Sequence, residues 1–411
     1  MSPRCFAVLV SILAASAASA ADKIVIGATV PLTGQEAKSG KQFKDGYDLA
    51  FALANEAGGL RIGGRRIPVE LRALDDGSSP EESAKLTSQM IEKEGLHLML
   101  GSFSTRIVEK QSEVTEQHRV PLVMGSGAAT ALFRRGFKYL YGLQAPVEQL
   151  AYAELRWIDA QQKDGNLPKP LRVAVAVEDT SHGKDFREGV MDFVGKTASR
   201  KADYQVVLDE KFALDQKSYK QVLDKLEAAR ADVFLADAHL TDFITMHREY
   251  RRMGMCHSVI TYGARGTEKK GADALGAKAI EHVTSGVWWS PLLTSNAESK
   301  KFIDAFQKRY GRAPEWYEAL SYESARVLFA AIEEAGNTDS EHVKHALDHV
   351  EIPSLLPGGK LSFPSDTGHQ TRALYVVLQN APDGSISVIY PRDLVTHPGT
   401  LAHCQVEHAS R

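Results

Sequence analysis

The sequence predicts an α/β protein made of two doubly wound lobes, each a parallel sheet covered by helices. Three observations predict this class. Short apolar runs of strand length alternate with amphipathic runs of helix length along most of the chain. The strand-like runs are apolar at nearly every position, as in parallel sheets buried on both faces. A seven-residue pattern also occurs twice, at 40–46 and at 183–189, about one domain length apart.

The repeated pattern reads Gly-Lys-x-Phe-basic-acidic-Gly in both copies. Each copy follows an apolar strand-like run, 24–30 in the first case and 173–177 in the second. Each also opens a helical pattern, so the same strand-loop-helix unit is predicted to begin both lobes. A duplicated α/β unit forms a cleft between its halves, and clefts bind ligands.

The first lobe is predicted from the N-terminal alternation of strand-like and helix-like runs. Strands are expected at 24–30, 67–74, 97–100 and 120–124. Helices are expected at 40–57, 80–94 and 105–118. Pro80 occupies the first position of the second helix, and Ser78 or Ser79 is its N-cap, because these residue types are preferred there.

The second lobe repeats the rhythm, and the chain then returns to helices. Strands are expected at 171–177, 204–210, 233–236 and 258–262, with helices at 146–162, 183–195, 215–230 and 240–253. After a strand-like run at 283–289, helices are expected at 297–310, 314–335 and 339–349, and strands at 373–379 and 386–390. The late helices must pack somewhere, and a return to lobe one implies several crossovers and therefore a hinge.

The predicted domain limits follow from this rhythm. Lobe one comprises 22–143 plus 290–357, lobe two comprises 146–287 plus 362–395, and 396–411 is a polar C-terminal tail. Residues 1–20 are predicted to be a cleaved secretory signal peptide, with Arg4 before a short apolar run and small residues at the cleavage point. That run is shorter than the roughly 20 residues that span a membrane. The mature protein is therefore expected to be soluble and exported.

Charge and cysteine content narrow the classes of partner. A formal net charge of −3 is too near neutral to favour nucleic acid or an anionic membrane. Cys5 leaves with the signal peptide, so Cys256 and Cys404 remain in an oxidising compartment. A disulfide between them is expected, and two unpaired buried thiols are the alternative.

One motif supports an enzyme as an alternative. The run 125–130 follows a strand and resembles the glycine-rich dinucleotide fingerprint, with Thr130 in the last position and Glu148 where a ribose-binding acid would lie. This pattern would fit an NAD-type oxidoreductase. However, the match is imperfect, and it lies at the fourth strand of the lobe rather than at the first. Gly195-Lys-Thr197 also lacks P-loop spacing, because Gly189 lies one residue too far away.

Metal and catalytic chemistry have little support. His342, His345 and His349 lie on one face of a predicted helix, but no further ligand pattern accompanies them, so a solvated helix face is expected. No Gly-x-Ser-x-Gly elbow occurs in the sequence. We therefore predict no metal, no cofactor, no catalytic residue and no enzymatic activity.

Small hydroxyl residues instead cluster in three loops that follow parallel strands, at 32–34, 102–105 and 126–130. Ligands of open α/β sheets bind at the carboxyl ends of the strands. Ser104 and Thr105 also stand at a helix start, where free N–H groups and the helix dipole favour an anion. N-capping alone would explain one such loop, but three in one lobe indicate a site for a carboxylate.

At these residues the chain resembles the periplasmic solute-binding proteins of branched-chain amino acid ABC transporters, which have the type I fold. The matching runs include Ile26-Gly-Ala-Thr-Val-Pro-Leu-Thr-Gly34, Asn55-Glu-Ala-Gly-Gly59, Gly101-Ser-Phe-Ser-Thr105, Ser126-Gly-Ala-Ala-Thr130, Tyr310-Gly-Arg-Ala-Pro314 and Tyr317-Glu-Ala-Leu-Ser-Tyr322. The resemblance covers about 23–390. It implies two lobes joined by three crossovers, a three-strand hinge, that close on a ligand.

The resemblance also implies specific site residues. The ligand carboxylate is expected to meet Ser104 and Thr130, and the carbonyl of Ala128 would receive an ammonium. On the second lobe it points to His182, which stands at a position that is usually Tyr, and to Ala238 or His239.

Two departures from the family pattern concern the ligand. Arg265 stands where amino-acid binders of the family offer a Glu for the ligand ammonium, and Ser39 stands where an aromatic residue often walls the pocket. Arg265 is expected either to form a bidentate hydrogen bond with a ligand carboxylate or to stack on an aromatic ring. The alternatives are that it points to solvent or pairs with Glu268.

The resemblance implies the extracytoplasmic substrate-binding component of an ABC importer, a leucine-binding-protein-like chain that acts in transport. Its expected partners are a small-molecule ligand and a membrane permease, with no nucleic acid, and the chain is expected to be a monomer. The ligand is expected to be an amino acid or a related small carboxylate, including an aromatic acid. A sensory ligand-binding protein that reports to a membrane kinase or receptor is the second interpretation.

Overall fold

The computed structural model describes residues 23–404. The predicted signal peptide at 1–20 and the last part of the predicted tail, 405–411, lie outside them. The predicted fold class is confirmed, because the described residues form two α/β lobes, each built on its own mainly or wholly parallel sheet. No helix within 23–404 combines the length and apolarity that a bilayer span requires.

Lobe one carries a wholly parallel five-stranded sheet. Its strands and those of a small hairpin are β1 (Ile24–Val30), β2 (Leu60–Ile62), β3 (Arg65–Ile67), β4 (Val69–Asp75), β5 (Met99–Leu100), β6 (Leu122–Met124) and β7 (Leu140–Gly142). The sheet order is β4-β1-β5-β6-β7, and β2 pairs with β3. The helices of this part are α1 (Ala37–Glu56), α2 (Pro80–Glu92), α3 (Thr105–Gln117) and α4 (Thr130–Phe133). Ser79 caps α2, accepting from the backbone N–H of Glu82 at 3.2 Å.

Lobe two carries a seven-stranded sheet. Its helices are α5 (Val147–Lys163), α6 (Ser181–Gly195), α7 (Ala198–Asp203), α8 (Lys220–Ala229), α9 (Leu240–Arg252) and α10 (Lys269–Leu275). Its parallel strands are β8 (Leu171–Glu178), β9 (Tyr204–Phe212), β10 (Val233–Asp237), β11 (Val259–Tyr262) and β12 (Val283–Val287). They lie in the order β12-β11-β10-β8-β9.

The chain then returns to lobe one and back again. Helices α11 (Ala297–Tyr310), α12 (Trp316–Ala335) and α13 (Ser340–His349) pack in lobe one, where the rings of Phe51 and Phe329 meet at 5.0 Å. A hairpin of β13 (Ile352–Pro353) and β14 (Lys360–Leu361) follows. Strands β15 (Val376–Asn380) and β16 (Ile386–Tyr390) then extend the sheet of lobe two. β15 pairs antiparallel with β12, and β16 pairs antiparallel with β15. The described chain thus passes between the lobes after β7, after β12 and after β14, while the residue limits of the lobes stay a prediction.

The predicted helix starts at 40 and 183 are corrected, because α1 begins three residues earlier and α6 two residues earlier, so the first glycine of each repeated pattern lies within the first turn of its helix. A Cβ on Gly40 would lie 1.9 Å from the carbonyl oxygen of Pro31, just past β1. A Cβ on Gly183 would lie 2.1 Å from the carbonyl oxygen of Glu178, at the end of β8. In both lobes the first glycine therefore lets the first turn of a helix contact the end of the first strand.

Elements of three to seven residues account for most of the other differences from the sequence prediction. The β2–β3 hairpin, β7, α4, α7 and α10 were not predicted, because such short elements show too little periodicity to be recognised. A second reason explains why the β2–β3 hairpin was not predicted. Its turn is Gly63-Gly64, with φ of 54° and 80°, and its strands carry exposed arginines rather than an apolar pattern.

A buried acid in α5 leads to a prediction about pH and stability. Glu154 is 0% exposed and accepts hydrogen bonds from the hydroxyls of Thr261 at 3.1 Å and Thr284 at 3.0 Å. Burial raises its pKa to about 8 despite these two bonds. The folded protein therefore holds a proton that the unfolded chain releases above about pH 4.5, so this group makes the free energy of unfolding fall as the pH rises from about 4.5 to about 8.

We expect Glu154→Gln, which cannot ionise, to remove this fall. Chemical denaturation at pH 5 and at pH 8 measures the difference in unfolding free energy between wild type and variant. That difference should shift in favour of the variant at pH 8. An equal difference at both values would contradict a proton held on Glu154.

Candidate functional site

A cavity of about 60 Å³ lies between the lobes at the carboxyl ends of strands from both sheets. This is where open α/β sheets bind their ligands. Its walls combine aromatic, hydroxyl and charged side chains. The lining residues are Phe103, Ser104, Thr105, Arg106, Ser126, Gly127, Gln144, Glu178, Thr180, Ser181, His182, Leu214, Asp237, Ala238, His239, Ala264, Arg265, Trp288 and Trp316.

Lobe one contributes the start of α3. Ser104 is the N-cap residue of this 13-residue helix, but its side chain makes no capping hydrogen bond. Its hydroxyl instead lies 3.4 Å from Oε1 of Glu36. Thr105 follows it at the first helical position and also lines the cavity. The helix start therefore presents hydroxyl and N–H donors, together with the positive end of the helix dipole, to the space between the lobes.

Lobe two contributes two histidine–carboxylate pairs. Nδ1 of His182, in the first turn of α6, lies 2.7 Å from Oδ2 of Asp237 at the end of β10. Nδ1 of His239, the N-cap of α9, lies 2.5 Å from Oε2 of Glu178 at the end of β8. Each pair thus links a strand end to a helix start.

The side chains of these pairs are buried or half-buried, and their mutual attraction favours their charged forms. Burial acts to lower the pKa of His239, but the carboxylates of Glu178 and then Glu36 outweigh it and raise that pKa to about 9. Burial likewise opposes the charge on His182, and Asp237 outweighs it, so its pKa is also raised. Burial acts to raise the pKa of Glu178, but His239 and His182 pull it to about 2. The arrangement therefore favours the protonated form of both histidines and the ionised form of Glu178.

Arg265 is buried in the wall of the cavity, with 9% of its surface exposed. Its Nη1 donates to Oε1 of Glu268 at 3.1 Å and contacts the hydroxyl of Tyr317. The guanidinium carbon lies 5.1 Å from the ring centre of Trp316 and 5.9 Å from that of Phe103. Its Nε and Nη2 donate to no residue within 23–404. Arg265 therefore pairs with Glu268 and also lines the cavity, rather than pointing to solvent.

The structure brings six of the nine predicted ligand-binding residues to this cavity. They are Ser104, Thr105, His182, Ala238, His239 and Arg265. Contact of any of the nine with a ligand stays a prediction.

The other three predicted residues lie outside the lining, and each has its polar group engaged elsewhere. The carbonyl of Ala128 accepts from Nε2 of Gln370 at 2.9 Å. The hydroxyl of Thr130 donates to Glu148 at 2.6 Å, and its backbone N–H donates to Asp185 at 2.7 Å. Ser39 is buried in α1, where its hydroxyl lies beside that of Tyr317.

Several lining residues were missed at the sequence level. Glu178 and Asp237 are the last residues of β8 and β10, so the rule that placed the lobe-one hydroxyls would also have found them. Phe103, Trp288 and Trp316 are apolar and come from a loop, a hinge segment and a helix start, so nothing in their pattern distinguishes them from core residues.

Three of these side chains also form a set that could hold a metal ion. Ligand atoms of Glu178, His182 and Asp237 lie within 4.8 Å of one another, the one such group of three or more in the part of the chain that the structure describes. Metal binding requires a neutral imidazole. The pairing of His182 with Asp237 favours the protonated ring instead, so the arrangement favours an internal ion pair over a metal centre.

Polar contacts bridge the two lobes around the cavity. Nε2 of His239 in lobe two lies 3.6 Å from Oε1 of Glu36 in lobe one. Arg265 of lobe two also contacts the hydroxyl of Tyr317, which lies in α12 of lobe one. On another side, Thr130 bonds to lobe-two acids. The lobes are thus closed over the cavity.

Comparison with known proteins supports the same architecture. The family model described as "Periplasmic binding protein" matches residues 23–384. The Leu/Ile/Val-binding protein homolog 7 of Brucella abortus is 25% identical over 398 residues, covering 95% of this chain and 97% of that protein. BraC3, a Leu/Ile/Val-binding protein of Rhizobium johnstonii, is 26% identical over 370 residues, covering 89% and 93%.

Solved structures share the fold. LivJ of Streptococcus pneumoniae, a branched-chain amino acid transporter substrate-binding protein in complex with isoleucine, superposes with a TM-score of 0.77 at 19% identity, covering 90% of this chain and all of that one. A solute-binding protein of an ABC transporter from R. palustris, in complex with benzoate, gives 0.73 at 16% identity, covering 93% and 98%. The predicted type I fold is confirmed.

Proposed function

We propose that this chain, which belongs to the periplasmic binding protein family, is the substrate-binding component of an ABC importer and holds a small carboxylate between its closing lobes. The relatives and structural neighbours are binding proteins rather than enzymes. One observation carries the proposal: a buried arginine, Arg265, lines the cavity between the lobes, and only its Nη1 has hydrogen-bond partners among the described residues 23–404.

The chemistry around Arg265 favours a carboxylate. The guanidinium fork matches a carboxylate geometrically, and burial strengthens the attraction between the charges. The start of α3 adds the hydroxyls of Ser104 and Thr105. The lobe-two carboxylates already pair with histidines, so they offer little to a ligand ammonium. We therefore propose an acid without a free α-ammonium, with a dicarboxylic amino acid as the second choice.

The apolar walls favour a flat or apolar body on that acid. Phe103, Trp288 and Trp316 line the cavity, and the two tryptophan rings lie 4.9 Å apart. Aromatic walls bury rings well. The structural neighbours were solved with isoleucine and with benzoate, so this fold accepts both kinds of ligand. An aromatic carboxylate fits the combination of Arg265 and three aromatic side chains.

The proposed cellular role follows from the family. Periplasmic binding proteins work outside the cytoplasm. We propose that residues 1–20 direct export, that the mature chain is a periplasmic monomer, and that the closed form hands its ligand to a membrane permease. Neither catalysis nor a nucleic acid partner is part of the proposal.

Titration calorimetry with benzoate and with leucine tests the ligand class. We expect benzoate to bind and leucine to bind at least tenfold more weakly. Small-angle scattering should show compaction on binding, because closure reduces the distance between the lobes. Tight binding of leucine with no binding of benzoate would refute the assignment to acids that lack an ammonium.

The helix-start hydroxyl of Ser104 provides a more local test. Ser104→Ala removes a donor to a partly desolvated carboxylate, which is worth about 1.5–3 kcal/mol, or about ten- to a hundredfold in benzoate affinity. Because Ser104 makes no capping bond, stability should hardly change.

Ser79→Ala is the matched control for that test. Ser79 caps α2 and does not line the cavity, so the substitution should cost about 1 kcal/mol of stability and leave the affinity unchanged. If both variants bind benzoate like the wild type, the carboxylate does not lie at the start of α3.

A further inference from the structure

Gln144 is a buried glutamine whose side chain has no hydrogen-bond partner among the described residues 23–404. It is 4% exposed and lines the cavity between the lobes. The other buried glutamines of the described chain each use their amide in at least one hydrogen bond; they are Gln42, Gln111, Gln162, Gln370 and Gln379. A buried amide without a partner costs free energy that a bound donor or acceptor would recover.

The amide of Gln144 is accessible from the cavity. Neither its oxygen nor its nitrogen belongs to the unpartnered polar atoms that the protein encloses completely, in contrast to Nε1 of Trp316 in the same wall. Because the residue is almost entirely buried and lines the cavity, the surface that its amide keeps faces the cavity. A molecule held there can therefore bond to this amide directly.

Ser126 is a second polar group of the same kind. It is 2% exposed and lines the cavity, and its hydroxyl bonds to no residue within 23–404 and is not fully enclosed. Strands β6 and β7 pair in parallel, with Met124 beside Gly142. The same register, continued past the carboxyl ends of the two strands, places Ser126 beside Gln144. We call these two residues the polar pair.

The polar pair and Arg265 stand at different parts of the aromatic wall. Gln144 belongs to the segment after β7 that crosses between the lobes, and the carbonyl of its neighbour Ala145 accepts from Nε1 of Trp288 at 3.4 Å. The rings of Trp288 and Trp316 lie 4.9 Å apart, and the guanidinium carbon of Arg265 lies 5.1 Å from the ring centre of Trp316. Contacts thus run from the arginine, through the two tryptophans, to the segment of Gln144.

This order gives the ligand a direction. A carboxylate that meets Arg265, with its ring along the two tryptophans, directs the far end of the ligand toward the polar pair. The pair is uncharged, so a charged group at that end would be buried without a counter-charge from it, which is unfavourable. A hydroxyl both donates and accepts, so it satisfies a side-chain amide in either of its two orientations.

We propose that the polar pair recognises a neutral hydroxyl at the end of the ligand opposite its carboxylate, so that the preferred ligand is a hydroxylated aromatic acid. This inference rests on the proposed carboxylate-binding function and adds Gln144 to it as a residue that determines specificity.

Benzoate and para-hydroxybenzoate are the probes, because they differ by one hydroxyl opposite the carboxylate. In titration calorimetry near neutral pH, where a phenol keeps its proton, the wild type should bind para-hydroxybenzoate about fivefold or more tightly than benzoate, the effect of one added hydrogen bond. The ortho isomer, whose hydroxyl lies beside the carboxylate, should show no such gain.

These titrations separate the inference from the function on which it rests. Binding of benzoate without a gain for para-hydroxybenzoate would overturn the role of the polar pair and leave the carboxylate function in place. An equal gain for the ortho isomer would also overturn that role. Binding of none of the three acids would overturn both proposals.

Gln144→Leu keeps the size of the side chain and removes its amide. Because this amide bonds to no described residue, the variant should be at least as stable as the wild type in urea denaturation. Its preference for para-hydroxybenzoate over benzoate should fall to about twofold or less. Gln144→Met serves the same purpose if the leucine variant does not fold. A preference of wild-type size in a folded variant would overturn the assignment to Gln144.

Gln162→Leu is the matched control. Gln162 is also 4% exposed but lies outside the cavity lining, and its Nε2 donates to the carbonyls of Pro168 at 2.9 Å and Asp203 at 3.2 Å. The substitution should lower stability, because two backbone carbonyls lose this donor, and should leave the preference for para-hydroxybenzoate unchanged. Loss of the preference in both variants would show that it depends on the integrity of the fold rather than on the Gln144 amide, and would overturn the proposal.

Discussion

Arg265→Met is expected to weaken the binding of benzoate by about a hundredfold or more. The substitution keeps the length and much of the volume of the side chain but removes the buried guanidinium beside the cavity. Truncating one partner of a buried, hydrogen-bonded charge pair costs about 2–5 kcal/mol of binding free energy, and about 2.7 kcal/mol corresponds to a hundredfold. Titration calorimetry of the two proteins measures the change.

The same substitution should also destabilise the folded protein, for a reason unrelated to the ligand. Glu268 would lose its salt bridge with Arg265 while remaining buried. Removing one member of a buried ion pair costs about 3–5 kcal/mol. Arg265→Met/Glu268→Gln removes the stranded charge as well. We expect this double variant to recover most of the stability and none of the benzoate affinity.

A surface arginine provides the control for the Arg265 experiment. Arg187 pairs with Asp209, and both side chains are about one-third exposed. Arg187→Met should leave benzoate affinity unchanged and alter stability by no more than about 1 kcal/mol. If the double variant recovers affinity together with stability, Arg265 acts only by holding the fold, and the carboxylate site must lie elsewhere.

Much of the fold and part of the site follow from local sequence patterns. Apolar strands and amphipathic helices have periods that are visible within a short window, and most of the longer elements lie within a few residues of their predicted places. The strand-end rule located Ser104 and Thr105 because each stands immediately after a short buried strand and loop. The local pattern is sufficient to place such residues at the site, since a residue that directly follows a strand must lie at the carboxyl end of that strand.

The remaining site residues depend on contacts between distant parts of the chain. Thr130 is engaged by Glu148 and Asp185, and Ala128 by Gln370, which comes from beyond the last crossover. No spacing in the sequence reveals that these groups will meet. Similarly, Trp316 stands at the start of a predicted helix, but only the contact between the start of α12 and lobe two makes it a wall of the cavity.

The disulfide between Cys256 and Cys404 should be the other large contributor to stability. The structure joins the two residues, with 5.5 Å between their Cα atoms and 148 positions between them in sequence. A cross-link over so long a loop restricts the unfolded chain strongly. We therefore expect Cys256→Ser/Cys404→Ser to lower the free energy of unfolding by about 2–5 kcal/mol, measured by urea denaturation.

The bridge also holds the described part of the tail, and the two effects can be separated. The backbone N–H of Thr400 donates to Gln379 at 2.8 Å, and that of Ala402 donates to Ser258 at 3.1 Å. Truncation after Pro398 removes these contacts and the cross-link together, whereas the double serine variant removes the cross-link alone. The difference between the two variants therefore measures what the tail contacts contribute without the bridge.

The mechanism of stabilisation can be tested by the slope of the denaturation curve. If the cross-link acts by restricting the unfolded state, its removal lets that state expand, and the dependence of the unfolding free energy on urea should steepen. Wild type treated with dithiothreitol should reproduce both the lower midpoint and the steeper slope. Benzoate affinity should not change in either case, because neither cysteine lines the cavity. Identical midpoints for the oxidised and reduced protein would show that the bridge contributes nothing to folding.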